Sequence, residues 1–261
     1  MKKKTNLLAL TILTGVATIS LAGSPSSPPT TSSSNAFFAK VGAGAAIVNS
    51  TFNPPRAYEN NSGEEVIESL GNISTSQTTF ANQISTGFTH EWQGGLILGS
   101  EIGFSKRYGN IQNNMLTTDD TNGNTKTNYQ IGNRFSFYPK ILIGKQTSQN
   151  TMLIFGAGAE FANNKVSGSS LLKRLGVNQL KASYSKQIWQ IGPMASAEFD
   201  YSFDKHWQVY VEDDMAYFPS KDIGNISSED TGPEAASLVQ RSDYKLSIFK
   251  NDLMFGLKVH T

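Results

Sequence analysis

The chain contains no cysteine, so an exported form of it would have no disulfides and would draw its stability from packing and pairing alone. Charge is sparse: 16% of the 261 residues are charged and 38% are hydrophobic, a balance that suits neither a helical membrane protein nor a disordered one. No sign of charge dominates. Setting aside Lys2, Lys3 and Lys4 from the 22 basic residues leaves 19 against 21 acids, a net charge of −2 that makes nucleic acid an unexpected partner. Histidine occurs three times only, which limits the sites for acid–base chemistry.

Long hydrophobic runs are missing as well. The longest apolar, small-residue stretch, 7–22, is short and is interrupted by Thr11, Thr14, Thr18 and Ser20, so a membrane-spanning anchor is a poor reading of it. The three preceding lysines and the small-x-small sequence Ser20-Leu21-Ala22 instead fit a cleaved secretory signal peptide over 1–22. Ser24 stands where a lipoprotein signal needs cysteine, so no lipid anchor follows. Residues 23–35, GSPSSPPTTSSSN, carry too little apolar surface to fold and read as a flexible mature N-terminus. The remainder, 36–261, reads as one domain.

That domain is built on alternation. Segments of period two lie near 36–48, 79–92, 96–109, 126–144, 151–166, 182–202, 207–218 and 243–260, which predicts eight strands. Three connections are short: 93–95, 145–150 and 203–206. Four are long and polar: 49–78, 110–125, 167–181 and 219–242. Short and long alternate strictly, so all the long loops fall at one end. A soluble sandwich has no reason for this arrangement, whereas a membrane barrel with short turns on one side and long loops on the other does.

The hairpin 80–108 indicates which face is wet. A loop at Gln93-Gly94-Gly95 pairs Phe80 with Tyr108, Ile84 with Phe104, Phe88 with Ser100 and Trp92 with Leu96, placing the apolar sets together. The other face aligns Gly87 with Glu101 and Ala81 with Arg107, isolated charges among small residues, as a crowded lumen requires. Twelve steps from Phe80 to Trp92 make roughly 40 Å of strand, or about 30 Å along a membrane normal at a tilt of about 40°. Aromatic residues expected at the two membrane interfaces include Phe80, Tyr108, Tyr129 and Tyr217 on the long-loop side and Trp92 and Trp207 on the short-turn side. The fold expected is all-β: an eight-stranded antiparallel up-and-down transmembrane β-barrel.

Eight strands leave an interior just wide enough for side chains to fill. The alternation points Glu101, Glu160, Glu198, Glu212 and Asp214 inward, together with Lys40, Arg107, Arg134, Lys140, Lys186 and Lys258. Five acids against six bases suggest a salt-bridged plug, because unpaired buried charges cost several kcal/mol each. A narrow gated channel is the alternative use of the same residues.

A leader, eight alternating strands, long loops at one end and a strand closing the chain resemble the small eight-stranded outer-membrane barrels: the OmpA membrane domain, OmpX/Ail-like proteins and opacity-type surface proteins. The resemblance implies Gram-negative cell outer-membrane localisation in the cell envelope, with outer-membrane lipid, lipopolysaccharide and the barrel-assembly machinery as partners. The last strand, DLMFGLKVHT, fits through Leu253, Phe255, Leu257 and Val259 but has Thr261 where such proteins carry an aromatic residue. Barrel enzymes of similar size use a strand histidine two residues before a serine, and His90 and His206 lack that serine. Gly42-Ala-Gly44 and Gly156-Ala-Gly158 lack the third glycine of a dinucleotide fingerprint; in 117–128 a calcium loop with Gly123 sixth would have Thr118 first and Tyr129 twelfth, where carboxylates are needed, so the stretch reads as a solvated loop. No catalytic site, cofactor or metal is expected. The function expected is a non-enzymatic surface protein, adhesin-like or supporting envelope integrity, meeting a host or environmental ligand at four external loops. A small channel or porin and a secreted soluble ligand-binding β-barrel are the alternatives.

Overall fold

A computed structural model of the chain describes residues 34–53, 55–59, 65–69, 72–119, 123–173, 179–223, 228–230, 239–240 and 244–261. Eight long strands run through them: β1 Ser34–Phe52, β2 Ile73–Glu91, β3 Leu96–Tyr108, β4 Gly123–Ser148, β5 Thr151–Lys173, β6 Gln179–Ser202, β7 Trp207–Asp222 and β8 Lys245–His260. Each strand pairs antiparallel with the next. The last returns to the first, from Phe38 opposite His260 to Phe52 opposite Leu246. The sheet is therefore a closed up-and-down barrel in which each of these eight strands has a paired neighbour on both sides.

The first hairpin has the expected register, with Phe80 opposite Tyr108, Ile84 opposite Phe104 and Gly87 opposite Glu101. Its turn works because Gly94 and Gly95 take φ of +97° and +77°, a region glycine enters without a Cβ penalty. The Trp92 N–H donates to the Leu96 carbonyl at 2.8 Å, and the Gly95 N–H donates to the Trp92 carbonyl at 3.0 Å.

The strands outrun their expected ends at the long-loop side. After Gly109, at φ +104°, β3 continues as a strand at Asn110–Asp119 that pairs with β4 from Gly132 back to Gly123. The segment read as a solvated loop at 117–128 is thus largely a hairpin extension of the barrel. Pro55–Glu59 pairs with Glu65–Ser69, and Ser228–Asp230 pairs with β6. The expected leader and most of the 23–35 tract lie outside the described residues, while Ser34 and Asn35 already belong to β1.

One irregularity changes the expected facing of residues. The β4–β5 register shifts between Asn133 and Phe135, so Arg134 is the extra residue of a β-bulge. A one-residue slip exchanges the two faces of a strand. Beyond the bulge Tyr129 and Ile131 turn inward, 1% and 2% exposed, while on its other side Tyr138 and Lys140 are the buried residues. Tyr129 is therefore an interior residue and not an interface aromatic, and Arg134 is exposed and not part of the lumen. Phe38 and Phe218 also face inward.

The interior is layered. At the short-turn end Phe38, Leu142 and Ile154 form a small apolar layer. Toward the long-loop end, Phe52, Tyr129, Ile131, Val166, Tyr184 and Tyr244 belong to a much larger one, with Phe52 edge-on to Tyr129 at 5.0 Å. Tyr244 lies beyond the strands, and burial pushes its hydroxyl pKa up to about 12. Between the two apolar layers sit the charges.

Candidate functional site: the charged lumen and the apolar exterior

The lumen network is centred on Lys40 of β1. Its ammonium lies 3.0 Å from Glu101 Oε2 on β3, 2.7 Å from Glu198 Oε2 on β6 and 2.7 Å from Glu212 Oε2 on β7. Four strands thus meet at one nitrogen. Lys140 of β4 shares Glu212 at 2.5 Å and reaches Asp214 at 3.3 Å and Glu101 at 3.4 Å. Lys258 of β8 takes the other oxygen of Glu198 at 2.5 Å and Asp200 at 2.7 Å. Nearer the long-loop end Lys250 holds Glu160 and Asp252, each at 2.6 Å.

Neutral groups hold the charged ones in place. Gln83 donates to Glu212 at 2.8 Å and accepts from the Tyr138 hydroxyl at 3.1 Å. The ammonium groups of Lys40, Lys140 and Lys258 stand 5.1, 4.9 and 4.7 Å from the ring centres of Tyr210, Tyr138 and Phe38, a favourable contact for a cation away from water. Glycine makes the room. A Cβ at Gly103 would strike the Tyr138 ring, and one at Gly42 would strike Tyr210.

Of the eleven lumen residues expected from alternation, nine are buried inside: Lys40, Glu101, Arg107, Lys140, Glu160, Glu198, Glu212, Asp214 and Lys258. Arg134 is outside for the reason given above. Lys186 shares the phase of Tyr184 and Ile188 but lies half-exposed near the long-loop end. Asp200, Lys250 and Asp252 belong to the network and were not anticipated, although each is two residues from an inward position. The oxygens of Glu101, Glu198 and Glu212 gather within 4.8 Å of one another, a spacing that could suit a metal ion. The Lys40 ammonium bonds all three, so the cluster is a cradle for that cation.

The outside has the opposite character. Among the described residues 24 large apolar side chains are exposed, including Phe80 at 54%, Ile84 at 58% and Ile141 at 68%. A soluble protein does not expose a continuous surface of that kind. Tyr108, Trp92, Trp207 and Tyr217 also face outward, at the ends expected for them. Phe135 and Trp189 join the long-loop rim, ring to ring at 5.3 Å, and Tyr201 joins the short-turn rim.

All three histidines lie at the short-turn mouth. His90 meets Asn35 Oδ1 at 2.6 Å, His206 the carbonyl of His260 at 3.2 Å, and His260 meets Gln208 Oε1 at 2.9 Å. A cavity of about 270 Å³ opens there, lined among others by Thr89, Glu91, His206 and Gln208. Ile154 of the inner apolar layer also lines it.

The fold and its polarity define a class: a closed eight-stranded antiparallel β-barrel with charges inside and an apolar exterior, as in transmembrane barrels. No family model and no curated relative matches the sequence. Solved structures of similar fold include Neisserial surface protein A, at 14% identity and a TM-score of 0.38 over 85% of this chain and 96% of that one. The outer membrane protease OmpT of Escherichia coli aligns at 12% identity and a TM-score of 0.45 over 90% and 100%. Ail, the attachment invasion locus protein of Yersinia pestis, crystallised with the heparin analogue sucrose octasulfate, aligns at 8% identity and 0.33 over 86% and 99%.

Proposed function

We propose that the chain is a non-enzymatic outer-membrane protein. Its apolar band anchors it in the bilayer, its lumen is closed by paired charges, and its strand-bearing extensions at the long-loop end provide a surface for contact outside the cell. The observation that carries this reading is the reversal of polarity between exterior and interior. Ten steps separate Trp207 from Tyr217 on β7, roughly 33 Å of strand. At a tilt of about 40° this spans about 25 Å of membrane, the height of the apolar band in such barrels. Lys106, Arg134 and Lys165 are exposed at the upper rim. There they would meet the phosphates of lipopolysaccharide in an outer leaflet, by charge attraction and by extending along the apolar surface.

Two alternatives fare worse on specific observations. A secreted ligand-binding barrel needs an apolar or vacant interior, whereas this interior is filled by ion pairs. A channel needs a continuous polar path, and apolar layers lie on both sides of the charges. Insertion through the barrel-assembly machinery belongs to the same reading.

The test is electrophoresis of envelope fractions, boiled and unboiled, with protease added to whole cells. The expected result is a membrane-bound protein whose unboiled form migrates at a shifted apparent mass and which is cut only in the connections at the long-loop end. A soluble protein without the shift overturns the reading.

A further inference from the structure

The lumen network holds more acid than base. Lys40, Lys140 and Lys258 are joined through shared partners to Glu101, Glu198, Asp200, Glu212 and Asp214, three cations to five carboxyls, none of them more than 4% exposed. Lys250 and Arg107 stand apart from this network and are balanced in charge by the buried Glu160 and Asp252. With every group ionised, the connected network would carry two uncompensated negative charges among the described residues. An apolar cluster lies toward either end of it. A buried carboxylate without a counter-charge takes up a proton in preference to staying ionised.

The contacts single out two of the five. Glu101, Glu198 and Glu212 each lie within 3.4 Å of two ammonium groups. Asp200 meets one, Lys258 at 2.7 Å, and Asp214 meets one, Lys140 at 3.3 Å.

Around Asp200 there is no further cation to draw on. Met152 of β5 and Tyr210 of β7 are its cross-strand neighbours, and His260 of β8 is turned to Gln208. No N–H or O–H reaches Asp200 Oδ1, yet the carboxyl lies within hydrogen-bond reach of the Glu198 carboxylate two residues away. Ionised carboxylates only accept, so that contact is a hydrogen bond only when one of the two carries a proton. Asp214 has Ser196 of β6 and a second acid, Asp252 of β8, directly opposite. The charges that act on it are Glu212 of its own strand, Lys140, Lys250 and Lys40. The Tyr138 hydroxyl of β4 is given to Gln83.

We infer that Asp200 and Asp214 are neutral carboxylic acids in the folded barrel at neutral pH. Asp200 donates its proton to Glu198, Asp214 holds the second proton, and the three remaining carboxylates balance the three lysines. The lumen is thereby a proton-dependent lock. An aspartate of the unfolded chain releases its proton at about pH 4. Above that pH the folded state binds more protons than the unfolded one, so this contribution to stability, complete below about pH 4, declines as the pH rises and is gone once the folded barrel has released both protons. The inference rests on the closed, charge-filled lumen of the reading above and is independent of what the loops contact.

Infrared spectroscopy tests it, because the carbonyl stretch of a neutral acid is separate from the carboxylate bands. The protein is refolded into phospholipid vesicles at neutral pH with a chelator present, so that no divalent cation supplies the missing charge. The expected result is an acid carbonyl band that loses one carboxyl's intensity in Asp200→Asn, one in Asp214→Asn and two in the double variant. The amide copies the shape of a neutral acid, so all three variants should keep the boiled and unboiled mobility shift. In urea titrations in detergent micelles from about pH 6 to about pH 8, the folding constant of the wild type should fall relative to that of the double variant by about tenfold per pH unit for each proton retained. Absence of the acid band, a band untouched by either substitution, or parallel pH profiles for wild type and double variant would overturn the inference. Loss of folding in both single variants counts against it equally, since a neutral amide should replace a neutral acid. A wild type that never shows the mobility shift overturns the closed barrel instead.

Discussion

Lys40 shows how much a single residue can carry in a barrel this narrow. Its ammonium is bonded to three carboxylates and is 1% exposed. Lys40→Met would leave Glu101 without its nearest cation and weaken the hold on Glu198 and Glu212. Breaking a buried pair in this way costs about 3–5 kcal/mol. The urea midpoint of unfolding in detergent micelles, followed by the boiled and unboiled bands, should fall accordingly, whereas Lys145→Met outside the lumen should stay within about 0.5 kcal/mol of wild type. An unchanged midpoint for Lys40→Met would mean that the carboxylates are not held by this ammonium. At this scale the sequence was readable where alternation was clean. Lys40, Glu101, Lys140 and Glu198 were all assigned inward from period two. Glu212 and Asp214 were assigned inward in the same way and are buried there, with Asp213 between them on the outer face of β7.

At the scale of elements, β4 is the instructive strand. Period-two reading carried one phase from Tyr129 through Phe137, and the bulge at Arg134 divides that stretch into two opposite phases. Nothing in Asn133-Arg134-Phe135 marks a bulge, since it contains neither glycine nor proline. It is imposed by what the strand must cover: Tyr129 is needed inside, where its hydroxyl meets Thr75 at 2.8 Å, and Lys140 is needed inside further down. Deleting Arg134 should therefore be tolerated: it leaves eight steps instead of nine between Ile131 and Lys140, so plain alternation keeps Tyr129, Ile131 and Lys140 inside with Asn133 and Phe135 still opposite Asn164 and Asn163. Both the deletion variant and Arg134→Ser should reach the heat-modifiable form, and a deletion variant that does not would show that the bulge is needed for more than the phase. The hairpins joined by short turns were legible because turn length and glycine positions define register locally. The long-loop extensions were not, because their polar sequences pair with neighbours only once the barrel below has aligned them.

For the whole molecule, closure is the deciding property. The layer of charges crosses the lumen, with an apolar cluster toward either end. Planar-bilayer recordings of the refolded protein are expected to show no steady conductance, and stable single-channel steps in the wild type would contradict a closed lumen.

What the sequence determined by itself was everything that depends on neighbours along the chain: strands from period two, turns from glycine, the face of each unbulged strand, and the balance of charge against apolar surface. What only the tertiary structure decided was which groups meet across the lumen and around the wall. Lys40 bonds Glu198 and Glu212 across 158 and 172 residues, and alternation can say that all three point inward but not that they lie at one height. Height follows from strand tilt, from the stagger at which β8 returns to β1, and from a bulge that shifts one strand by one residue. These are properties of the closed sheet, and no local pattern encodes them.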